Sequence, residues 1–458
     1  MPARWGAGDC VHAQNLTWVL IQLDEDSPNM EIKHRMSKRF AWLLGLVGLV
    51  VIALLVACGT TYNSSSDGLV LVGSQGSALV ETFSFSLANG HIAAVANSPS
   101  STSNSTCVLP GIPSSMVLDP AGAYAYVVLN ANDTCSGSKN GIATFKVNSN
   151  GTLTSEGLLA VTPPPVALAM DTAGKFLFAA EGLGSGQVES YLIGSGGSLT
   201  AVPRAFNFTL PPGFQGPNFA ALAPTPTVLP GNGINGIQNS VCSDPGNSPP
   251  KSEYLYVADS ANNVVWQFGV NTSSGALTSP VSSSPVPYYP AGTTPSGVTV
   301  DPCARFVYVS NMVSNNISAY TICNGLTTQS ATCSSIPQPW ALVPVTGSPF
   351  SIPSTGNGPG PILVDPFGNY VYVLDTLSSQ VSPFHISPVS GSLTPGTSVV
   401  TGSQPISMTI RADDNWLFVT NFSSATLSQY SITPSSGVLS PLLPAVTTDN
   451  NPWGVAVK

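Results

Sequence analysis

Polar residues recur at one position of a repeated pattern in this 458-residue chain, directly after an apolar stretch rich in aromatic residues. The seven residues are Ser74, Asn130 (one position late), Glu181, Asp259, Asn311, Asp375 and Asn421. Glu181, Asp259 and Asp375 are candidate catalytic groups, because carboxylates can exchange protons with a reacting molecule. With Asn311 and Asn421 they are also candidate ligand-binding residues, and such oxygens suit Ca²⁺. The alternative is that these side chains only cap the following turn.

Few other side chains are available for acid–base chemistry. After Cys58 the histidines are His91 and His385, and the arginines are Arg204, Arg305 and Arg411. No two of these converge on sequence grounds, so each is interpreted as structural or solvated. No histidine or C-x-x-C spacing indicates a metal site. We therefore expect no cofactor, with Ca²⁺ at the ring of polar residues as the open alternative.

These residues belong to a unit that occurs seven times. An apolar strand ends in a tight turn such as Asp365-Pro366-Phe367-Gly368, where proline and aspartate favour turn geometry. A second strand with alternating aromatics follows, then a polar turn and a third strand; the fourth strand is the least clear. In the fourth copy, residues 225–250 are inserted between the first two strands. Period-2 alternation in seven such units predicts an all-β, seven-bladed β-propeller of four-stranded antiparallel blades over residues 67–458.

The two ends of this region complement each other. The first copy has a second and a third strand but lacks a first strand, and the chain ends with the apolar segment Pro-Trp-Gly-Val-Ala-Val at 452–457. We therefore expect the C-terminal strand to join the first blade and close the ring.

The unit resembles the YVTN repeat of the seven-bladed propellers grouped as a lactonase family. Phe418-Val419-Thr420-Asn421 and Tyr308-Val309-Ser310-Asn311 are close matches to that motif. The resemblance implies an activity that opens or closes lactones, with a site of His, Arg and carboxylates on one face of the propeller. The scarcity of His and Arg departs from this expectation, and propellers host many unrelated functions.

The cysteines indicate an oxidising compartment. Apart from Cys10 and Cys58 there are six, which permit fifteen pairings. Placing them on the propeller predicts three disulfides, namely Cys107–Cys135, Cys242–Cys303 and Cys323–Cys333.

A targeting segment precedes the propeller. Lys38 and Arg39 are followed by an apolar run from Phe40 to Ala57, which predicts a signal peptide at 36–57. Its end, Leu-Val-Ala-Cys, resembles the bacterial lipobox, which implies lipidation of Cys58 and a tether at 58–66. An uncleaved signal anchor is the alternative. Residues 1–35 are interpreted as an upstream extension from a start codon placed too early.

Composition limits the partners. Only 8% of residues are charged and the net charge is −9, so nucleic acid is not expected as a partner. We expect a monomer held to the membrane by its lipid, at the bacterial cell envelope outside the cytoplasm. Three functions remain open. One is a module that binds a protein, glycan or small ligand, and another is a lactone hydrolase, for which an uncharged lactone suits so few basic residues. The third is a scaffold for assembly in the periplasm.

Overall fold

The computed structural model describes residues 67–96, 98, 109–131, 139–181, 187–203, 219–225, 253–279, 287–323, 333, 340–353 and 355–458. The predicted signal peptide, Cys58 and the tether lie outside these residues. Within the described ranges, no helix combines the length and apolar character needed to cross a membrane. A short 3₁₀ turn lies at Ser195–Gly197.

The strands form seven antiparallel sheets, the blades, and each blade runs from an innermost strand to an outer strand. The innermost strands of blades 1 to 7 are Pro452–Val457, Ile112–Leu118, Pro165–Met170, Phe219–Pro224, Pro295–Val300, Pro359–Val364 and Pro405–Ile410. The second strands are Asp67–Ser74, Tyr124–Asn130, Phe176–Glu181, Glu253–Asp259, Phe306–Asn311, Tyr370–Asp375 and Trp416–Asn421.

The third and outer strands complete the blades. The third strands are Leu79–Ser86, Gly141–Val147, Val188–Ile193, Val264–Val270, Asn316–Ile322, Gln380–Ile386 and Thr426–Thr433. The outer strands are Ile92–Ala94, Leu153–Ala160, Leu199–Ala201, Leu277–Thr278, Leu342–Pro344, Leu393–Pro395 and Val438–Thr447. Blades 4, 5 and 6 carry a further short strand on the third strand, at Tyr288–Pro290, Phe350–Ser351 and Val399–Val400.

The ring is closed as predicted. The C-terminal strand pairs antiparallel with Asp67–Ser74 in blade 1, placing Val70 opposite Val457 and Val72 opposite Val455. The innermost strands of neighbouring blades contact each other all the way round, including blade 7 with blade 1. The predicted seven-bladed propeller is therefore confirmed.

The alternating apolar residues of each second strand pack against both neighbouring blades. In blade 6, Val371 and Val373 pack with Tyr308 of blade 5, whereas Tyr372 and Leu374 pack with Leu417 of blade 7. This two-sided burial explains why the second strands carry the strongest sequence signal.

Each blade contributes to two rims. At the start rim the innermost strands begin and the second strands end; at the end rim the innermost strands end and the second strands begin. The end rim carries the repeated aspartate turns. In Asp119 and Asp365, the carboxylate oxygen Oδ1 accepts bonds from two backbone N–H groups at the start of the second strand. This capping explains the recurrence of aspartate at these turns.

One predicted disulfide is present, joining Cys323 and Cys333 with Cα atoms 5.3 Å apart. Cys303 is also disulfide-bonded. Its predicted partner Cys242, and the predicted pair Cys107–Cys135, lie outside the described residues.

Candidate functional site

The seven polar residues singled out by the sequence all end second strands, and all lie on the start rim. Each stands opposite the first residue of an innermost strand, as Asp375 does opposite Pro359. Their side chains are not open to solvent, however. Six of the seven residues are at most 5% exposed, and Asn130 is partly exposed.

The two asparagines of blades 5 and 7 make matching contacts. Asn311 Oδ1 accepts a bond from the Gly292 N–H at 3.1 Å, and Asn421 Oδ1 accepts one from the Gly402 N–H at 3.0 Å. Each Nδ2 donates to a serine hydroxyl of the third strand, 3.0 Å from Ser318 in blade 5. These amides join the second and third strands of one blade to the loop that leads into its innermost strand, which is the capping role expected under the structural interpretation.

Two of the candidate carboxylates are held by donors of their own blades. Asp259 Oδ2 accepts bonds from the Trp266 indole N–H at 2.9 Å and from the Asn262 amide at 2.7 Å. Asp375 Oδ2 accepts bonds from Ser382 Oγ at 2.5 Å and Gln380 Nε2 at 3.1 Å. The second oxygen of Asp375 has no hydrogen-bond partner. Burial raises the pKa of Asp375, against the effect of these two donors.

The ring differs in blades 1 to 3. Ser74 donates to Glu81 Oε2 at 3.0 Å, and Glu81 also accepts the Asp449 N–H at 2.8 Å. Burial raises the pKa of Glu81. Asn130 donates to Ser114 Oγ at 3.0 Å, and Glu181 is buried at the end of its strand. The structure thus brings the predicted residues onto one rim but directs most of their polar atoms into their own blades.

Neither a ligand role nor Ca²⁺ binding at this ring is tested by these contacts, and both stay predictions. In the described part of the chain, no group of three or more His, Cys, Asp or Glu side chains is placed to hold a metal ion. The ring carboxylates lie in separate blades, and Asp259 and Asp375 each face donors of their own blade.

The described histidines and arginines have separate surroundings. His91 lies in an exposed turn, and exposed His385 packs edge-on against Tyr370, with ring centroids 5.6 Å apart. Arg305 and Arg411 both stand on the end rim, where each pairs with an aspartate. Arg204 lies outside the described residues.

The start rim also carries exposed apolar side chains, which the sequence analysis did not single out. Trp453, at the beginning of the closing strand, is 40% exposed and meets Phe422 of blade 7 edge-on at 5.6 Å. Val166 occupies the equivalent strand position in blade 3 and is 45% exposed. Leu377 and Val313 are also exposed, in the turns that follow the second strands of blades 6 and 5. The signal available in the sequence was a tryptophan at a strand position filled elsewhere by small or aliphatic residues.

Basic residues are concentrated on the opposite rim. Of the basic side chains in the described ranges, Lys139 alone lies on the start rim. The others, on the end rim, are Lys146, Lys175, Arg305, Arg411 and Lys458. The described part of the start rim therefore combines exposed aromatic surface with little positive charge.

Comparison with known proteins agrees with this architecture. Residues 247–339 and 341–453 match the family model described as lactonase, 7-bladed beta-propeller. A candidate 6-phosphogluconolactonase from Bacteroides fragilis has a similar structure, with a TM-score of 0.62 and 17% identity over 87% of this chain and 100% of that one. A periplasmic gluconolactonase from Pseudomonas aeruginosa gives a TM-score of 0.61 and 17% identity over 86% of this chain and 99% of that one. No curated protein sequence matches the chain.

The described structure and these matches define a closed seven-bladed β-propeller. The repeats of the second half of the chain match those of the lactonase family of seven-bladed propellers.

Proposed function

We propose that this propeller is a lactone hydrolase that acts outside the cytoplasm on an uncharged lactone bound at the start rim. The family match supports lactone chemistry, and the single basic residue of the described start rim supports a ligand without phosphate groups. A phosphate ester binds through several charge-assisted bonds to Arg or Lys, which this rim does not offer in the described ranges.

The observation that carries the proposal is exposed Trp453, which packs edge-on against half-buried Phe422 beside the inner ring. The face of an aromatic ring binds the C–H groups of a sugar-like ring while leaving its hydroxyl groups free for hydrogen bonds. Glu181, Asp259 and Asp375 remain the candidates for moving protons during ring opening. Among them, Asp375 combines a raised pKa with an oxygen that accepts no hydrogen bond.

Trp453→Ala is expected to lower kcat/KM for an uncharged hexonolactone by about tenfold or more, as loss of about 1.4 kcal/mol of stacking would do. Trp453→Phe is the matched control and should keep most of the activity, because it retains an aromatic face. Steady-state hydrolysis of gluconolactone and 6-phosphogluconolactone by the same preparations provides the measurement. A preference for the phosphorylated lactone would contradict the assignment of an uncharged substrate.

A second candidate is a binding module without catalysis, and the burial of the ring carboxylates favours it. If no lactone is hydrolysed above background but a sugar-like ligand still binds in a Trp453-dependent way, this second function is the correct one. Calorimetric titration of the wild type and Trp453→Ala with the same lactones separates the two cases.

We further propose that the propeller is anchored to the cell envelope through a lipid on Cys58. The Cys323–Cys333 disulfide supports an oxidising compartment. Labelling cells with a radioactive fatty acid should mark the wild-type chain and leave Cys58→Ala unlabelled. Equal labelling of the two chains would contradict the anchor.

A further inference from the structure

Blades 6 and 7 meet at the end rim through two buried aspartates. Asp365 is the turn aspartate of blade 6, and Asp414 is the fourth residue of the corresponding turn in blade 7. Both are fully buried. The two carboxyl groups lie close enough to interact, because the Asp365 carboxylate adds to the effect of burial in raising the pKa of Asp414. A hydrogen bond between two carboxyl groups requires a proton on one of them.

The repeated turns explain why these two groups meet. The fourth residue has positive φ in every complete turn and is glycine in three blades, including Gly368 at φ +71°. A side chain added at Gly368 would lie 3.5 Å from Asp301 Oδ2, the turn aspartate of the preceding blade. Asp414 occupies this position at φ +56°, a conformation that aspartate tolerates. Its carboxyl group is therefore directed at the turn aspartate of blade 6.

The neighbouring blade contact shows how such an aspartate is otherwise neutralised. Between blades 5 and 6, Arg305 pairs with Asp301 at 2.7 Å and donates to the Gly368 carbonyl at 3.1 Å. In blade 6 the residue at the position of Arg305 is Asn369, which carries no charge. Arg411 pairs with Asp413 instead.

Three of the four carboxyl oxygens receive no hydrogen bond from the described residues, namely Asp414 Oδ1 and Oδ2 and Asp365 Oδ2. Asp365 Oδ1 accepts the Asn369 and Tyr370 N–H groups. The titratable groups that face the pair are Tyr370 and Tyr372 of blade 6 and Asp413 of blade 7. None of these is a cation, so a proton is the positive charge that the site can hold.

We propose that Asp365 and Asp414 form a single-proton clasp between blades 6 and 7, which stabilises the propeller in acid and weakens it in alkali. The clasp consists of a carboxylic acid donating to a carboxylate, and the proton exchanges with solvent water. At a pH high enough to remove the shared proton, both aspartates are ionised. The two adjacent buried carboxylates then repel each other across the blade contact. This device is independent of the proposed lactone chemistry, because it lies on the opposite rim.

The direction of the pH effect follows from the pKa values. Burial and the neighbouring carboxylate raise the pKa of Asp414 to about 8, from an ordinary value of 3.8, and burial raises the pKa of Asp365 to about 6. A group whose folded-state pKa is raised binds more protons in the folded than in the unfolded state. The stabilisation is therefore complete below about pH 4 and is lost as the pH rises towards about 8.

Asp414→Asn tests the clasp in the full chain, by denaturant unfolding between pH 5 and pH 7. If the pair holds one shared proton, the unfolding constant of the wild type should rise between pH 5 and pH 7. This rise should be about a hundred times larger than the rise for the variant. Asp365→Asn, which keeps the Oδ1 acceptor, should remove the same pH dependence of the unfolding constant. The double variant should lose no more of this pH dependence than either single variant, because the two aspartates share one proton. Asp414→Gly, which restores the residue found at Gly122, Gly174 and Gly368, serves if Asp414→Asn does not fold.

Asp119→Asn is the matched control, since Asp119 caps its turn in the same way. In the next blade the position of Asp414 is occupied by Gly174, which has no carboxyl group. This control should leave the pH dependence of the wild type unchanged. Glu253, whose pKa burial raises to about 8, adds a background slope common to all variants.

A second measurement does not depend on reversible unfolding. The infrared band of a buried carboxylic acid should be present in the wild type at pH 6, fade as the pH rises towards 9, and be weaker in Asp414→Asn. An unchanged pH dependence in Asp414→Asn, or no such band at pH 6, would overturn the proposal. So would Ca²⁺ that stabilises the wild type but not Asp414→Asn at pH 8, because the pair would then bind a cation.

Discussion

A chain that lacks residues 452–458 is expected not to form the closed propeller. These residues supply the innermost strand of blade 1 and contact the innermost strands of blades 2 and 7. Val455 packs with Phe418 of blade 7, and Ala456 packs with Met116 of blade 2, so both blade contacts depend on this strand. Burial of each valine contributes about 2 kcal/mol, and the strand's backbone bonds add more. The loss approaches the total of about 5–15 kcal/mol that holds a typical domain together.

Circular dichroism, limited proteolysis and thermal melting of the shortened and full chains measure this effect. The synthetic peptide of residues 452–458, added in excess, is expected to restore part of the protease resistance by adding the missing strand. A scrambled peptide of the same composition is the control. A shortened chain that keeps the melting temperature of the full chain would contradict the role assigned to the closing strand.

The sequence predicted the second strands well because both of their faces are buried. Their alternating apolar residues face two neighbouring blades, so every position from Tyr370 to Leu374 is constrained. The outer strands were unclear for the opposite reason. Leu393–Pro395 has one buried residue followed by two exposed ones, which leaves no apolar period to recognise. The short additional strand at Val399–Val400 carries even less signal.

The candidate site was predicted in position but not in orientation. Residue type and repeat spacing put Asp259 and Asp375 at the ends of second strands, and the structure agrees. Their donors come from the third strand, from Trp266 and from Ser382. Whether a carboxylate at such a strand end faces its own blade or the solvent depends on these partners. The exposure of Trp453 likewise depends on the neighbouring blade, which no local pattern encodes.

The end rim shows the same limit. Comparison of the repeated turns reveals that Asp414 replaces glycine, but not that its carboxyl group meets Asp365 of the preceding blade. Arg305 and Arg411 stand beside equivalent turns in the sequence and were given the same interpretation. The structure separates them, because Arg305 is held between two blades and Arg411 lies nearer the surface.

Arg305→Ala is therefore expected to destabilise the propeller by about 3–5 kcal/mol, whereas Arg411→Ala should cost at most about 1 kcal/mol. The side chains of Arg305 and Asp301 are 7% and 0% exposed, so removal of the guanidinium leaves a buried carboxylate without its counter-charge. It also leaves the carbonyl group of Gly368, in blade 6, without the hydrogen bond that Arg305 donates. The side chains of Arg411 and Asp413 are 22% and 18% exposed, so water can replace that pair.

Denaturant unfolding of the two variants at one pH, with the wild type alongside, gives the comparison. Arg305→Met serves as a second variant, because it keeps most of the apolar stem that lies over Phe306 and removes only the charge. It should remain close to Arg305→Ala in stability if the unpaired charge of Asp301 dominates the loss. If the free energy of unfolding of Arg305→Met were instead within about 1 kcal/mol of the wild-type value, the loss in Arg305→Ala would be due to packing of the apolar stem. Combining Arg305→Met with Asp301→Asn should then recover stability relative to Arg305→Met alone, because the buried charge is removed while the turn keeps its Oδ1 acceptor.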